Sequence, residues 1–229
     1  MTLTVNIAKQ LEHFELRTDF SCPAGELTAI VGPSGAGKTT LVRTIAGLEQ
    51  PDRGTISLGD TLWTDTNTDH CVPTHKRKIG LVFQDYTLFP HMTVRQNITF
   101  GAPNPDTADR LMQTFEISHL KNKRPDTISG GERQRTAFCQ ALARKPDLLL
   151  LDEPFSALDV ATRKYLCSLL AEMKKDLGIP ILHVTHDLNE ADRLGDRVIA
   201  VEKGRITPDW LTRQQHPLQQ SLSVSPLYS

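Results

Sequence analysis

Gly32-Pro33-Ser34-Gly35-Ala36-Gly37-Lys38-Thr39-Thr40 follows the apolar run Leu27-Thr28-Ala29-Ile30-Val31 and opens a helix-patterned segment that extends to Leu48. The order is strand, glycine-rich turn, helix. Glycines at 32, 35 and 37 let backbone N–H groups crowd around an anion without side-chain clashes. The helix beginning near Lys38 adds the positive end of its dipole. The spacing fits the phosphate-binding pattern G-x-x-x-x-G-K-[ST]. In that pattern the lysine neutralises β- and γ-phosphates, and the next hydroxyl, here Thr39, is a hard oxygen ligand for Mg²⁺. All nine residues, Gly32 through Thr40, are therefore candidates for holding a nucleoside triphosphate.

Working outward, Leu148-Leu149-Leu150-Leu151 is a wholly apolar run that ends in Asp152-Glu153. Four consecutive leucines suit a strand buried on both faces of a parallel sheet. Such a strand can deliver Asp152 to a magnesium shell and Glu153 to a water. Taken alone, the pair reads equally well as a surface acidic dipeptide after a core strand. With the phosphate loop upstream, the catalytic reading is the stronger.

Elsewhere, Leu3 to Cys22 alternates apolar and polar residues in two runs, an antiparallel hairpin turning near Glu12-His13. Ile79 to Phe83 and Pro180 to Val184 read as strands. Between about Asp85 and Lys145 the pattern is helical, broken by Pro90, Pro103, Pro105 and Pro125. Asp159 can cap a helix that is closed by Gly178. Arg197 to Val201 and Arg205-Ile206 flank a turn, so the sheet is expected to end in a hairpin. The Gln-, Ser- and Pro-rich stretch after Trp210 is expected to be loosely ordered. Strands alternating with helices argue for an α/β core around a parallel sheet.

The chain has 229 residues, 38% hydrophobic, with a formal net charge of −1, which argues against a nucleic-acid partner. The basic run His75-Lys76-Arg77-Lys78 is read as a solvated face. Cys22, Cys71, Cys139 and Cys167 form no CxxC pair, which speaks against a zinc site and for a reducing compartment, with Cys139 and Cys167 as packed thiols. No basic flank precedes an apolar run at the start, and no stretch approaches the roughly 20 apolar residues of a membrane span. Any membrane role is expected to run through a partner.

In this order, the motifs make the chain resemble the nucleotide-binding subunit of an ATP-binding cassette (ABC) transporter, from Leu3 to about Ile206. Ile128-Ser129-Gly130-Gly131-Glu132 resembles the family signature LSGGQ, with Ile for Leu and Glu for Gln. Ser129-x-x-Glu132 also makes a capping box, which would turn Glu132 towards its own helix. The resemblance implies that Ser129, Gly130 and Gly131 of one subunit complete the ATP site of another. It makes Gln84 a sensor of magnesium and the attacking water, Ser156-Ala157-Leu158-Asp159 a turn along the dimer seam, and His186 the residue that contacts the γ-phosphate. Glu153, His186 and Gln84 are then catalytic, and Thr39, Gln84 and Asp152 surround the metal. The other seven histidines are expected at the surface. The family usually stacks adenine on an aromatic residue of the first hairpin. Here the hairpin is short, and His13 and Phe14 are its only rings.

The implied fold is an α/β P-loop NTPase cassette spanning 1–229. It has a RecA-like parallel-sheet core, an N-terminal antiparallel β subdomain and an inserted helical subdomain at about 86–145. A C-terminal regulatory β-domain, common in such importers, is not expected. The implied partners are a second copy of the cassette, integral-membrane permease subunits and, indirectly, a solute-binding protein; ATP and Mg²⁺ are the implied ligands. That places the chain at the cytoplasmic face of the cell membrane, held there by the permease. Asp85-Tyr86-Thr87-Leu88-Phe89-Pro90-His91 offers Tyr86, Leu88 and Phe89 as a groove wall for a permease helix. Ordinary packing between lobes is the alternative.

Gly59 to Asp65 and Val72 to His91 look most like importers of molybdate and tungstate; relatives carrying sulfate, ferric iron, thiamine or polyamines share much of this. A soluble ABC ATPase of DNA repair or translation fits less well, because a single cassette runs uninterrupted from Gln84 to Ser129. A P-loop GTPase is disfavoured because Asn122-Lys123 is followed by Arg124-Pro125 and no NKxD forms.

Overall fold

The computed structural model describes residues 1–85, 87–102 and 104–215. Tyr86, Pro103 and the stretch 216–229 lie outside the described residues.

The chain runs β1 (Thr2–Gln10), β2 (Glu15–Pro23), β3 (Leu27–Val31), α1 (Lys38–Ala46), β4 (Arg53–Leu58), β5 (Thr61–Asp65), β6 (His70–Cys71), β7 (Ile79–Val82), α2 (Val94–Thr99), α3 (Pro105–Thr114) and α4 (Gly130–Ala143). Then follow β8 (Leu148–Asp152), α5 (Val160–Leu177), β9 (Ile181–Val184), α6 (Leu188–Leu194), β10 (Arg197–Glu202), β11 (Arg205–Ile206) and α7 (Pro208–Gln215). The sheet order is β6-β5-β4-β1-β2-β11-β10-β3-β9-β8-β7. From β10 to β7 all pairs are parallel. From β2 to β6 all are antiparallel.

Two expectations about the C-terminal elements change. The β10–β11 hairpin does not end the sheet; it joins the two halves, because β11 pairs in parallel with β2 at Arg205 and Arg17. And α7 carries helix past Trp210, which packs on the core beside Leu211.

Strand β8 shows why the core is double-sided. All five residues are buried. Successive side chains point to opposite faces. Leu148 and Leu150 join Leu41, Val42 and Ile45 on one face, and Leu149 and Leu151 join Phe138, Phe155 and Leu166 on the other. Each fully buried leucine contributes about 2 kcal/mol of transfer free energy, so both faces hold this strand at the centre. Helices α2, α3 and α4 pack on one another between β7 and β8. Among the described residues no helix is long and apolar enough to cross a membrane.

The basic run at 75–78 is not a uniform solvated face. His75, Lys76 and Lys78 are exposed, but Arg77 is 4% exposed. Its Nη1 donates to the Ile45 carbonyl at 2.7 Å, its Nε to the Val72 carbonyl at 2.8 Å and its Nη2 to Thr64 Oγ1 at 2.8 Å. Its guanidinium lies 5.3 Å from the Trp63 ring centre. Arg77 thus closes the negative end of α1 and stitches it to β5. Burial pushes its pKa down, a sign that the charge is kept at a cost. Arg77→Met would leave several buried carbonyls unpaired. A loss of about 3 kcal/mol in denaturant unfolding is expected; a change below about 1 kcal/mol would contradict this role.

Candidate functional site

Adjacent parallel strands deliver the site. β3, β9 and β8 lie side by side, with Ile30 opposite Val184 and Val184 opposite Asp152. Their C-terminal ends therefore place Gly32, Thr185-His186 and Asp152-Glu153 at one mouth, where open parallel sheets commonly bind ligands.

Helix α1 begins at Lys38 with no capping side chain and no acidic residue in its first turn. Its N–H groups are left for an anion. Gly32 is required sterically: its φ is +149°, and an added Cβ would meet the Val201 carbonyl oxygen at 2.0 Å. The loop is also tied to the β10–β11 turn, where the Gly204 N–H donates to the Ala36 carbonyl at 3.1 Å. Pro33, Ser34, Gly35 and Thr39 are exposed, Gly37 and Thr40 half-buried, Ala36 buried.

Lys38 is buried, and its Nζ donates to the Gly32 and Pro33 carbonyls at 2.8 and 2.9 Å. Burial lowers its pKa, against the opposing pull of Glu153 and Asp152. Thr39 Oγ1 donates to Asp152 Oδ1 at 3.2 Å. Burial raises the Asp152 pKa, and the Thr39 bond offsets part of that rise. His186 Nδ1 stands 3.1 Å from Glu153 Oε2.

Glu153 adopts a left-handed φ of +47°, which costs a non-glycine residue about 1 kcal/mol or more. Its N–H donates to the Val184 carbonyl at 2.9 Å, and its own carbonyl accepts from Ser156 Oγ at 3.0 Å. These bonds hold the carboxylate towards His186 rather than along the strand.

Gln84, just past β7, is exposed. Among the described residues it makes no hydrogen bond to Thr39 or Asp152. Ser129 caps α4: its Oγ accepts from the Glu132 N–H at 3.3 Å, and Glu132 Oε2 accepts from the Ser129 N–H at 2.7 Å. Glu132 thus faces its own helix start, and that backbone bond lowers its pKa. Gly131 abuts Thr162 and Leu158. Among the described residues no hydrogen bond or ion pair links 129–131 to 32–40. Phe14 packs on Gly37 and beside Gly204, whereas His13 is exposed.

Asp159 caps α5 as expected. Cys22, Cys139 and Cys167 are buried free thiols. His183, expected at the surface with the other histidines, is wholly buried in β9 and tilts against Phe155 at 5.5 Å. The sequence reading missed it, its neighbour Glu190 at 3.5 Å, and Arg163, which lies 3.5 Å from Glu190. The available signal was His183 itself, a lone polar residue in the strand Ile181-Leu182-His183-Val184.

In the expected groove wall, half-buried Leu88 packs against the core, and Phe89 meets Phe100 at 4.8 Å. Asn97 fixes that turn, accepting from the Phe89 N–H at 2.7 Å. Phe89, Phe100, Ile79, Leu81 and Arg144 line a groove of about 530 Å³.

Among the described residues no three or more His, Cys, Asp or Glu side chains are grouped so as to hold a metal ion by themselves. A cation at this mouth would take the Thr39 hydroxyl and the Asp152 carboxylate from the chain, with further ligands from phosphate and water. That donor set suits Mg²⁺.

The "Molybdenum import ATP-binding protein ModC" of Haemophilus influenzae is 46% identical over 206 residues, covering 89% of this chain and 59% of that protein. The protein of the same name from Vibrio parahaemolyticus is 39% identical over 236 residues, covering 100% of this chain and 64% of that protein. The chain thus spans about three fifths of the length of these curated relatives. A dimeric bacterial ABC transporter cassette superposes with a TM-score of 0.76 at 29% identity, covering 90% of this chain and 96% of that chain. The family model for the ABC transporter matches residues 16–156. Because that span begins in β2 and runs past Glu153, more than half of the sequence carries the family's pattern, and the chain belongs to the ABC transporter family.

Proposed function

We propose that this chain binds and hydrolyses ATP with Mg²⁺ in a site completed by a second copy, and that this powers import of molybdate or tungstate through a separate permease. The observation that carries the ATPase reading is the convergence of Lys38, the Thr39–Asp152 pair and the Glu153–His186 pair at one mouth. Lys38 and the free N–H groups of α1 hold the phosphates. Thr39 and Asp152 hold Mg²⁺, which would neutralise phosphate charge. Glu153 orients a water and draws its proton; His186, in contact with that carboxylate, faces the outermost phosphate.

The second copy is supported by Ser129, Gly130 and Gly131, which form a helix N-terminus with no bond to this chain's own phosphate loop. Aimed at a phosphate across a two-fold axis, it supplies the missing donors. The groove at Phe89 and Phe100 takes a permease helix, supported by the 65% exposure of Phe100. The chain then sits at the cytoplasmic membrane face.

The cargo reading rests on the names of the relatives. It is tested in vesicles holding the cassette and its permease. Binding protein loaded with molybdate or tungstate is expected to stimulate ATP hydrolysis selectively. Equal or greater stimulation by sulfate, iron, thiamine or polyamine overturns the cargo reading but not the ATPase.

A further inference from the structure

Arg163 stands between the turn 156–159 and the turn that carries His186. It lies four residues past the cap Asp159, on the first turn of α5, so its side chain can reach back to the turn and across to α6. Its Nη2 donates to the Leu158 carbonyl at 3.3 Å, and its Nη1 to Asp187 Oδ2 at 3.2 Å. Its Nε lies 3.5 Å from Glu190 Oε1.

Each of those partners is itself anchored. Asp187, next to His186, caps α6 with its other oxygen, Oδ1, which accepts from the Asn189 N–H at 2.8 Å. Glu190 is 6% exposed and accepts from Thr185 Oγ1 at 2.7 Å. Thr185 is in turn bonded through its N–H to the Ile30 carbonyl at 3.1 Å. On the other side, Ser156 is bonded to the Glu153 carbonyl. One planar guanidinium therefore links the backbone of the 156–159 turn to the caps around His186. At the outer side of that turn Ala157 and Asp159 are exposed, and Val160 is an apolar side chain 67% exposed.

We propose that Arg163 is a positioning residue: a second copy pressing on residues 157–160 moves the Leu158 carbonyl, and Arg163 passes that displacement to Asp187, setting His186 against Glu153. The proposal rests on the two-copy ATPase reading. A fork with fixed geometry transmits such a displacement; the flexible ammonium of lysine does not.

The test is steady-state hydrolysis by the full chain. Arg163→Met is expected to lower kcat about tenfold with KM for ATP within about twofold. Asp187→Asn, which keeps a good helix cap, is expected to lose the same, and the double variant no more than either single one. Arg163→Lys is expected to recover only part of the rate, and it decides the matter by the same kcat and KM criteria should Arg163→Met fail to fold. ATP-dependent pairing of Glu153→Gln/Arg163→Met, read by size, is expected to persist, which general damage would not allow.

Losses that multiply between Arg163 and Asp187, or a KM that rises in step with the fall in kcat, overturn the proposal. So does parental kcat in the Arg163 variants of an active wild type, which leaves the ATPase reading standing. A wild type without ATP hydrolysis overturns that reading and this assignment together.

Discussion

Lys38→Ala is expected to weaken ATP binding about a hundredfold, the loss of ~3 kcal/mol of charge-assisted contacts. Lys38 is the buried cation of the phosphate loop, with its ammonium held by the Gly32 and Pro33 carbonyls. Removing it leaves those carbonyl dipoles turned towards an anion with no cation between them. The fold should survive: burial disfavours the charged lysine, so the loop keeps it at a cost that the alanine form does not carry. Calorimetric titration with ATP, paired with a thermal melt, checks both halves. Unchanged affinity would remove Lys38 from the site.

Glu153→Gln is expected to slow hydrolysis at least about a hundredfold while leaving ATP affinity intact, since a positioned base contributes on that scale. The substitution is nearly isosteric, and glutamine can keep a hydrogen bond to His186. The left-handed backbone at 153 is held by main-chain bonds and Ser156, which the variant leaves in place. ATP-loaded dimers should accumulate, because the step that dissolves them is blocked. Equal rates in wild type and variant would place the base elsewhere and leave the chain an ATP-binding scaffold.

The phosphate loop and the acidic pair were legible because their chemistry is local. Strand, turn and helix follow in order at 27–48, and four leucines announce a buried strand whose end must emerge beside the loop. Caps were legible for the same reason: Ser129–Glu132 and Asp159 each spend their side chains within three residues.

Gln84 and His186 carry no local signal and were placed by family resemblance. Both are exposed, but His186 meets Glu153, whereas Gln84, among the described residues, makes no hydrogen bond to Thr39 or Asp152. Strands β4–β6 escaped reading. In β5 the register against β4 shifts at Trp63, and Trp63 and Thr64 are both buried, so the alternation that marks a strand is interrupted there; β6 has two residues, too few to show any. Arg77 and Arg163 escaped for another reason. Their partners are mostly carbonyls and carboxylates brought near only by tertiary folding, and a basic run in sequence gives no hint which member turns inward.

The sheet order has a consequence for how the chain is made. β2 and β3 are neighbours in sequence but lie apart in the sheet, with β11 and β10 inserted between them. Residues 197–206 leave the ribosome after every strand they separate. Until then the nascent protein carries two unzipped strand edges, on β2 and on β3, each able to pair wrongly with another chain. Joining the halves is also the longest-range closure in the sheet, and such closures are slow. A cell short of chaperones should therefore lose this protein to aggregation during synthesis more than after its completion.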